Sequence, residues 1–378
     1  MNVSPLHVSR RGTIFAGDAG SDRQSNTFPS LCVSKSGRWY CAFRSAPMKT
    51  ELPGQRVLLA WSDDEGGNWS EPADPFSPPD LGDKPGSFRT GHLTELSEDR
   101  LVCVLCWVEQ TEPSLPFFNE TTEGLLDSRI FLSESRDRGQ TWSSPGLLET
   151  PPFECPTPTT GPILDLGGGV LACQFELNKP YDDIGPWRHR SILQLSRDGG
   201  ETWADHSTAS DDPEARLFYW DQRPGVMKDG RILNLFWTFD RKRGAYLNIH
   251  ARESTDQGRS WSPLRDTGVP GQPAAPVEAP DGRIAMVYVD RTSAPAIECR
   301  VSPDGGSNWP TDGESVIFQS TSNPDREGGI GMTDAWFEMS RFSVGLPATA
   351  LTNAGSLLVV YYAGNHTDET GIHWVLLG

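Results

Sequence analysis

Four arginines and a small set of carboxylates in this chain have the types and positions to hold a polar ligand and cut it. Arg44 (FRSAP) and Arg291 (VDR) each close an apolar, strand-like run, while Arg89 (SFRTGH) and Arg223 (WDQRPG) each introduce one. A guanidinium binds a carboxylate, a sulfate or an acidic sugar through forked hydrogen bonds, so four of them converging would form an anion clamp. Trp220, Asp221, Arg223, Trp237 and Asp240 crowd the ends of two neighbouring runs, and Glu176 ends another. Glycoside cleavage needs a protonated carboxyl beside the leaving oxygen and a second group that attacks or activates water. Aromatic rings beside those acids suit the faces of sugars. His92 (TGH) could act as a base or bind a hydroxyl. In VVYYAG, strand alternation lets only one of Tyr361 and Tyr362 face the same side. The expected catalytic set is Asp221, Asp240, Glu176 and Tyr361. The expected substrate-binding set is Arg44, Arg89, His92, Trp220, Arg223, Trp237 and Arg291.

Something must bring these scattered residues together, and the chain carries a repeat able to do so. The pattern Ser-x-Asp-x-Gly-x-x-Trp occurs five times, as Ser62–Trp69, Ser135–Trp142, Ser196–Trp203, Ser254–Trp261 and Ser302–Trp309. The spacing of roughly 50–70 residues is about that of a propeller blade. The Asp can bond backbone N–H groups of its own turn, the Gly supplies a positive φ, and the Trp plugs the gap between sheets. Before each copy runs the same grammar: an apolar strand, a tight turn, a second strand, a longer loop and a third strand. In the first unit these are FPSLCVS, KSGR, WYCAFR and RVLLAWS. A sixth set, LPATAL, LLVVYYAG and GIHWVLL, stops at Gly378 without its own copy. Its fourth strand is expected to be the N-terminal run LHVSRRGTIFA, which would pair the two ends of the chain and remove a free edge.

The expected fold class is therefore all-β, a single six-bladed β-propeller closed by the N-terminal strand in the last blade. Its blades would span about 27–72, 88–145, 160–206, 219–264, 272–310 and 341–378 with 5–16. The repeats and the first turns fall on one rim. The long loops 44–56, 107–126, 176–190, 239–246 and 361–371 fall on the other, where a ligand site is expected over the central channel.

The five repeats look like the turns called Asp-boxes, and the chain from Phe28 onward resembles the sialidase (neuraminidase) superfamily of β-propellers. The resemblance implies a carbohydrate-active enzyme. Sialidases bind the substrate carboxylate with an arginine triad, use a Tyr nucleophile assisted by Glu, and an Asp acid/base. Their first triad arginine lies in an Arg-Ile-Pro segment, but the matching segment here is Thr27-Phe28-Pro29, with Thr27 at the arginine position. This departure counts against ordinary sialic acid hydrolysis. Three readings stay open: a glycoside hydrolase acting on an acidic or polar sugar, a lyase acting on a uronate-containing glycan, and a propeller that only binds glycans or proteins.

Composition narrows the classes. A net charge of −18 argues against a nucleic-acid partner, because a phosphate backbone calls for a basic surface. No run approaches the ~20 apolar residues of a membrane span, and the N-terminus lacks a signal arrangement, so the expectation is a cytoplasmic chain or a mature chain whose secretory signal has been removed. The cysteine count, 7, is odd and favours reduced thiols. Cys103 and Cys106 lie within one strand-like run, on opposite faces, and are expected to pack in the core. Neither a metal nor a cofactor motif is present, so none is expected; a small-molecule or oligosaccharide substrate is the expected partner.

Overall fold

A computed structural model describes residues 4–291, 294–320 and 340–378. The described chain is almost entirely β, with a 3₁₀ turn at Thr311–Gly313 and short, twisted sheets in a propeller-like arrangement. The apolar runs read from the sequence form the strands. Alternating side chains of each strand pack against the sheets on either side, so Cys103 and Cys106 fall in different apolar clusters. No helix among the described residues is long and apolar enough to cross a membrane.

Four sheets stand apart, each built mainly from consecutive antiparallel strands. One contains Gly86–Ser97, Arg100–Glu109, Ser128–Ser135 and Gly146–Leu148. The next contains Leu164–Asp165, Leu171–Leu177, Arg190–Ser196 and Asp205–Asp211. A third is led by Leu217–Val226 and Ile232–Asp240, and a fourth by Ile284–Asp290 and Ala296–Ser302. The first strand is short in two sheets, Leu164–Asp165 in one and Gln272–Pro273 with Val277–Glu278 in another. Prolines at 158, 162, 273 and 276 supply no N–H to the ladder there.

The remaining strands depart from the expectation of six separate sheets. They form one seven-stranded sheet, in the order Val344–Leu351, Leu357–His366, Glu369–Leu377, Ser25–Val33, Trp39–Ala46 and Arg56–Ser62. Val8–Phe15 pairs antiparallel with Glu369–Leu377, from Val8 opposite Leu377 to Phe15 opposite Ile372. The join is narrow, a parallel bridge of Ser25 to Thr370. Side chains reinforce it. The Asn26 N–H donates to Thr370 Oγ1 (2.9 Å), Thr370 Oγ1 donates to the Asn26 carbonyl (2.7 Å), and Asn26 Nδ2 donates to the Thr370 carbonyl (2.8 Å). Both residues are fully buried, so water cannot replace these bonds.

All five repeat turns share one hydrogen-bond set. The Ser Oγ lies 2.7–2.9 Å from the Asp Oδ1 and accepts the N–H of the glycine at 2.8–2.9 Å. The residue just before the Trp (Asn68, Thr141, Thr202, Ser260 or Asn308) donates its side chain to the second Asp oxygen at 2.5–2.6 Å. Those donors hold the Asp137, Asp198 and Asp256 carboxyls down at about 2. Each turn also meets a neighbouring sheet. Tyr40 Oη donates to the Arg138 carbonyl (2.9 Å), Arg100 to Gly199 (3.3 Å) and Arg231 to Gly305 (3.0 Å).

Replacing Thr370 with valine keeps shape and burial but strands the Asn26 N–H and C=O. The expected cost is about 1–3 kcal/mol, read as a lower urea midpoint at unchanged slope.

Candidate active site

The strands Ser25–Val33, Gly86–Ser97, Leu217–Val226 and Val344–Leu351 are not regular. Their pairing slips at Thr27/Ser30, Phe88/Thr90, Trp220/Arg223 and Gly345/Ala348. At three of these slips a non-glycine residue takes a positive φ: Phe28 (53°), Asp221 (51°) and Leu346 (41°). Such bulges re-aim side chains that a regular ladder would send to the sheet faces. Arg89 and Asp221 both sit on them.

Asp221 is the hub. Its Oδ1 pairs with Arg223 Nη2 at 3.1 Å, its Oδ2 accepts from the Gln272 amide, and its N–H donates to Glu176 Oε1. Arg223 also donates to the Thr160 carbonyl. On its other side Gln272 Oε1 accepts from Arg291 Nη1 at 2.7 Å, so one amide spans Asp221 and Arg291. The Arg291 guanidinium lies 4.9 Å from the Phe342 ring centre and 6.0 Å from that of Trp237, and it bonds the Tyr362 hydroxyl. Burial lowers the Arg291 pKa and raises that of Tyr362, which keeps the phenol protonated.

The other cations reach the mouth from neighbouring sheets. Arg89 stacks over Phe117 (4.5 Å) and Phe28 (5.1 Å), its Nη1 is buried without a hydrogen-bond partner, and burial brings its pKa to about 10. The Lys49 ammonium lies 5.4 Å from the Tyr362 ring centre and donates to the Phe342 carbonyl. Burial, then the charges of Arg291, Arg44 and Arg89, push the Lys49 pKa well below the ordinary lysine value.

Several expected residues play other parts. Asp240 has no exposed side-chain surface and caps its own loop, pairing with Arg216 (2.6 Å) and accepting from the N–H groups of Lys242 and Arg243; it is not brought to Asp221. Tyr361 packs against Phe318 (5.3 Å) and His373 (5.7 Å) on the far face of its strand, so Tyr362 is the tyrosine at the mouth. Arg44 is fully buried. All of its guanidinium nitrogens are taken by Gln55 Oε1 and the carbonyls of Met48 and Glu51, so it props loop 47–55 and has no fork left for a ligand. Trp220 lies behind the mouth, stacked on Phe239 at 5.4 Å, whereas Trp237 stacks on Tyr246 (4.6 Å) and borders Arg291. His92 is within the field of Arg223, and burial holds its pKa at about 3.

Sequence reasoning passed over Gln272, Lys49 and His189. His189 Nε2 stands 3.3 Å from Glu176 Oε2. Lys49 lies in a long loop already marked for the ligand rim, which was the available signal. Gln272, in GQPAAP, carries no charge or motif to mark it. Two clefts, of about 630 and 240 Å³, lie away from these residues; the larger runs along Arg10, Gly66–Trp69 and Trp374 on the repeat side.

The profile of the family described as "BNR repeat-like domain" matches residues 96–359. No curated protein sequence matches the chain. Among solved structures, a protein of unknown function from Dyadobacter fermentans superposes with TM-score 0.75 at 19% identity over 99% of both chains. A Hadza microbial sialidase does so with TM-score 0.67 at 15% identity, over 96% of this chain and 67% of the sialidase. An α-L-arabinanase of Penicillium chrysogenum, complexed with arabinobiose, gives TM-score 0.63 at 14% identity over 98% of both chains. At these identities the likeness is one of fold.

A pKa near 3 leaves His92 neutral through the physiological range. Between that value and the ordinary 6.5 the unfolded chain binds a proton that the folded chain does not, so stability falls as pH drops across this window. The His92 ring resonances are expected to stay fixed from pH 5 to 8 by NMR, and His92→Gln to flatten the pH dependence of Tm below pH 6.

Proposed function

Given that the chain belongs to the BNR repeat-like domain family, we propose that it is a six-bladed propeller and a glycoside hydrolase acting on a sugar with an anionic substituent. The seven-stranded sheet counts as two blades joined at Ser25 and Thr370, with Val8–Phe15 as the outer strand of the last blade. The blade limits are those drawn from the repeats.

The observation that carries the reading is the Gln272 bridge, which holds a carboxylate and a buried guanidinium one amide apart. It divides the mouth. Glu176 and Asp221 form an acidic half; Arg291, Arg89 and Lys49 form a cationic half. A sugar acid with its anionic group on Arg291 and Arg89 would present the adjoining glycosidic bond to Asp221 and Glu176. Asp221, which accepts from Arg223 and Gln272, is the ionised partner that activates water or stabilises the positive sugar. Glu176, enclosed beside the aromatic side chains, is the proton donor. The Penicillium and Hadza proteins, described as an arabinanase and a sialidase, support a sugar substrate, and Thr27 in place of arginine weighs against sialic acid itself.

Chromogenic uronides, sialosides and neutral glycosides, with acidic polysaccharides followed by ultraviolet absorbance, test this. Hydrolysis of an acidic glycoside is expected, with kcat/KM reduced about 10²–10⁴-fold in Glu176→Gln and in Asp221→Asn. Arg291→Met should raise KM for the acidic substrate more than for a neutral analogue. An ultraviolet-absorbing unsaturated product would replace hydrolase with lyase. Full activity in both carboxyl variants would remove the assignment.

A further inference from the structure

Glu176 has a neighbour that the hydrolase reading leaves unused. The His189 side chain is 1% exposed and its Nε2 lies 3.3 Å from Glu176 Oε2, yet neither ring nitrogen completes a hydrogen bond. The ring is clamped by aromatics. It stacks on Phe218 (5.5 Å, 27°) and meets Trp187 (6.1 Å) and Trp220 (6.5 Å) edge-on. An imidazole serving only to fill an apolar gap would cost less as phenylalanine, because each buried unpaired nitrogen carries a desolvation penalty.

The charges around it are otherwise spoken for. On its own segment Arg188 pairs with Asp211 and Arg190 covers the Phe153 ring, while Lys179 donates to the Gly185 carbonyl. Across Phe218, Arg241 pairs with Glu123. From the next inner strand, Asp221 is engaged by Arg223 and Gln272 and offers Glu176 only its N–H. Among the described residues Glu176 is therefore the one carboxyl that meets the imidazole, and the two can hold a proton between Oε2 and Nε2 while Oε1 stays fixed on the Asp221 N–H.

We propose that His189 is the positioning residue of the site: with Glu176 it shares a single proton, aims it, and so makes Glu176 the donor. The inference rests on the hydrolase reading above. In the step itself the shared proton moves to the glycosidic oxygen as that oxygen takes the electron pair of the breaking C–O bond. The pair is left as neutral imidazole and carboxylate. The attacking water gives its hydroxyl to the anomeric carbon and its proton to Asp221; once product leaves, Asp221 releases that proton to solvent and the pair regains one. Poor alignment without substrate is ordinary for such pairs, which tighten in the complex.

Two measurements test it, and the first needs no substrate. In ¹⁵N-histidine-labelled protein, the pH titration of the His189 ring is expected to move by about one unit or more between wild type and Glu176→Gln. Identical titrations would overturn the pairing. The second compares His189→Phe, which suits the aromatic surroundings, with His189→Gln, which restores a polar group toward Oε2. His189→Phe should lower kcat about 10–100-fold with KM little changed and should move the basic limb of the rate profile; His189→Gln should recover part of both. A wild-type profile in a folded His189→Phe protein sinks the inference and leaves the hydrolase reading intact. Coupled titration without hydrolysis of any glycoside keeps the pair and sinks the hydrolase reading instead.

Discussion

The left-handed kink in the strands that carry Phe28, Asp221 and Leu346 is the constraint from which the cluster around Asp221 follows. An unbroken ladder would send every side chain into the spaces between sheets, which here are filled with apolar residues. A slip with positive φ frees one residue per strand to leave that alternation. For Asp221 the conformation is mild, since short polar residues tolerate it; for Phe28 and Leu346 it costs on the order of 1–3 kcal/mol. The strain at Phe28 persists because its neighbourhood is over-determined, with the Arg89 guanidinium over the ring on one side and the Asn26–Thr370 lock two residues away. Seam, kink and site are thus one mechanical unit.

Electrostatics at the mouth run against the character of the chain. The protein carries −18 overall, yet it buries several cations where its sheets converge. Each is tolerated for a different local reason. Arg44 is saturated by carbonyls and an amide, Arg89 lies between aromatic faces, and Arg291 is tied to Gln272 and Tyr362. Of the three, the last two keep a buried guanidinium nitrogen without a hydrogen-bond partner, Arg89 Nη1 and Arg291 Nε. In a low dielectric such donors discriminate strongly, because an anion gains more there than at a hydrated surface and a neutral group leaves the donors unmet.

The sequence made the repeat architecture legible because each repeat is a local, self-contained hydrogen-bond set that needs Ser, Asp and Gly at fixed offsets. Even there one position escaped notice: the Asn, Thr or Ser before each Trp, whose side chain closes the turn on the second Asp oxygen. Legibility failed where an outcome depends on parity or on distant partners. Tyr361 and Tyr362 differ by one residue, and hence by a whole sheet face, which strand pairing alone decides. Asp240 looked like Asp221 in composition, but Arg216, 24 residues earlier, claims it. Gln272 and His189 became visible only when strands from separate sheets met.

The Arg89 guanidinium is covered by a segment of the loop that follows the strand Arg100–Glu109. Segment 110–126 carries Phe117 onto Arg89 and packs Phe118, Leu125 and Leu126 into the apolar cluster that includes Trp187, Trp220 and Trp237. It is tied down by Asn119 Nδ2 and Thr122 Oγ1 to the Tyr181 carbonyl, by the Leu125 N–H to Lys179, and by Glu123 to Arg241. These ties run to the same two sheets that supply Glu176, His189 and Asp221. The segment is therefore held on both sides of Arg89: by Gln110, whose Nε2 donates to the Leu52 carbonyl (2.8 Å) and to Ser87 Oγ (2.6 Å), and by these ties to the sheets of Glu176, His189 and Asp221.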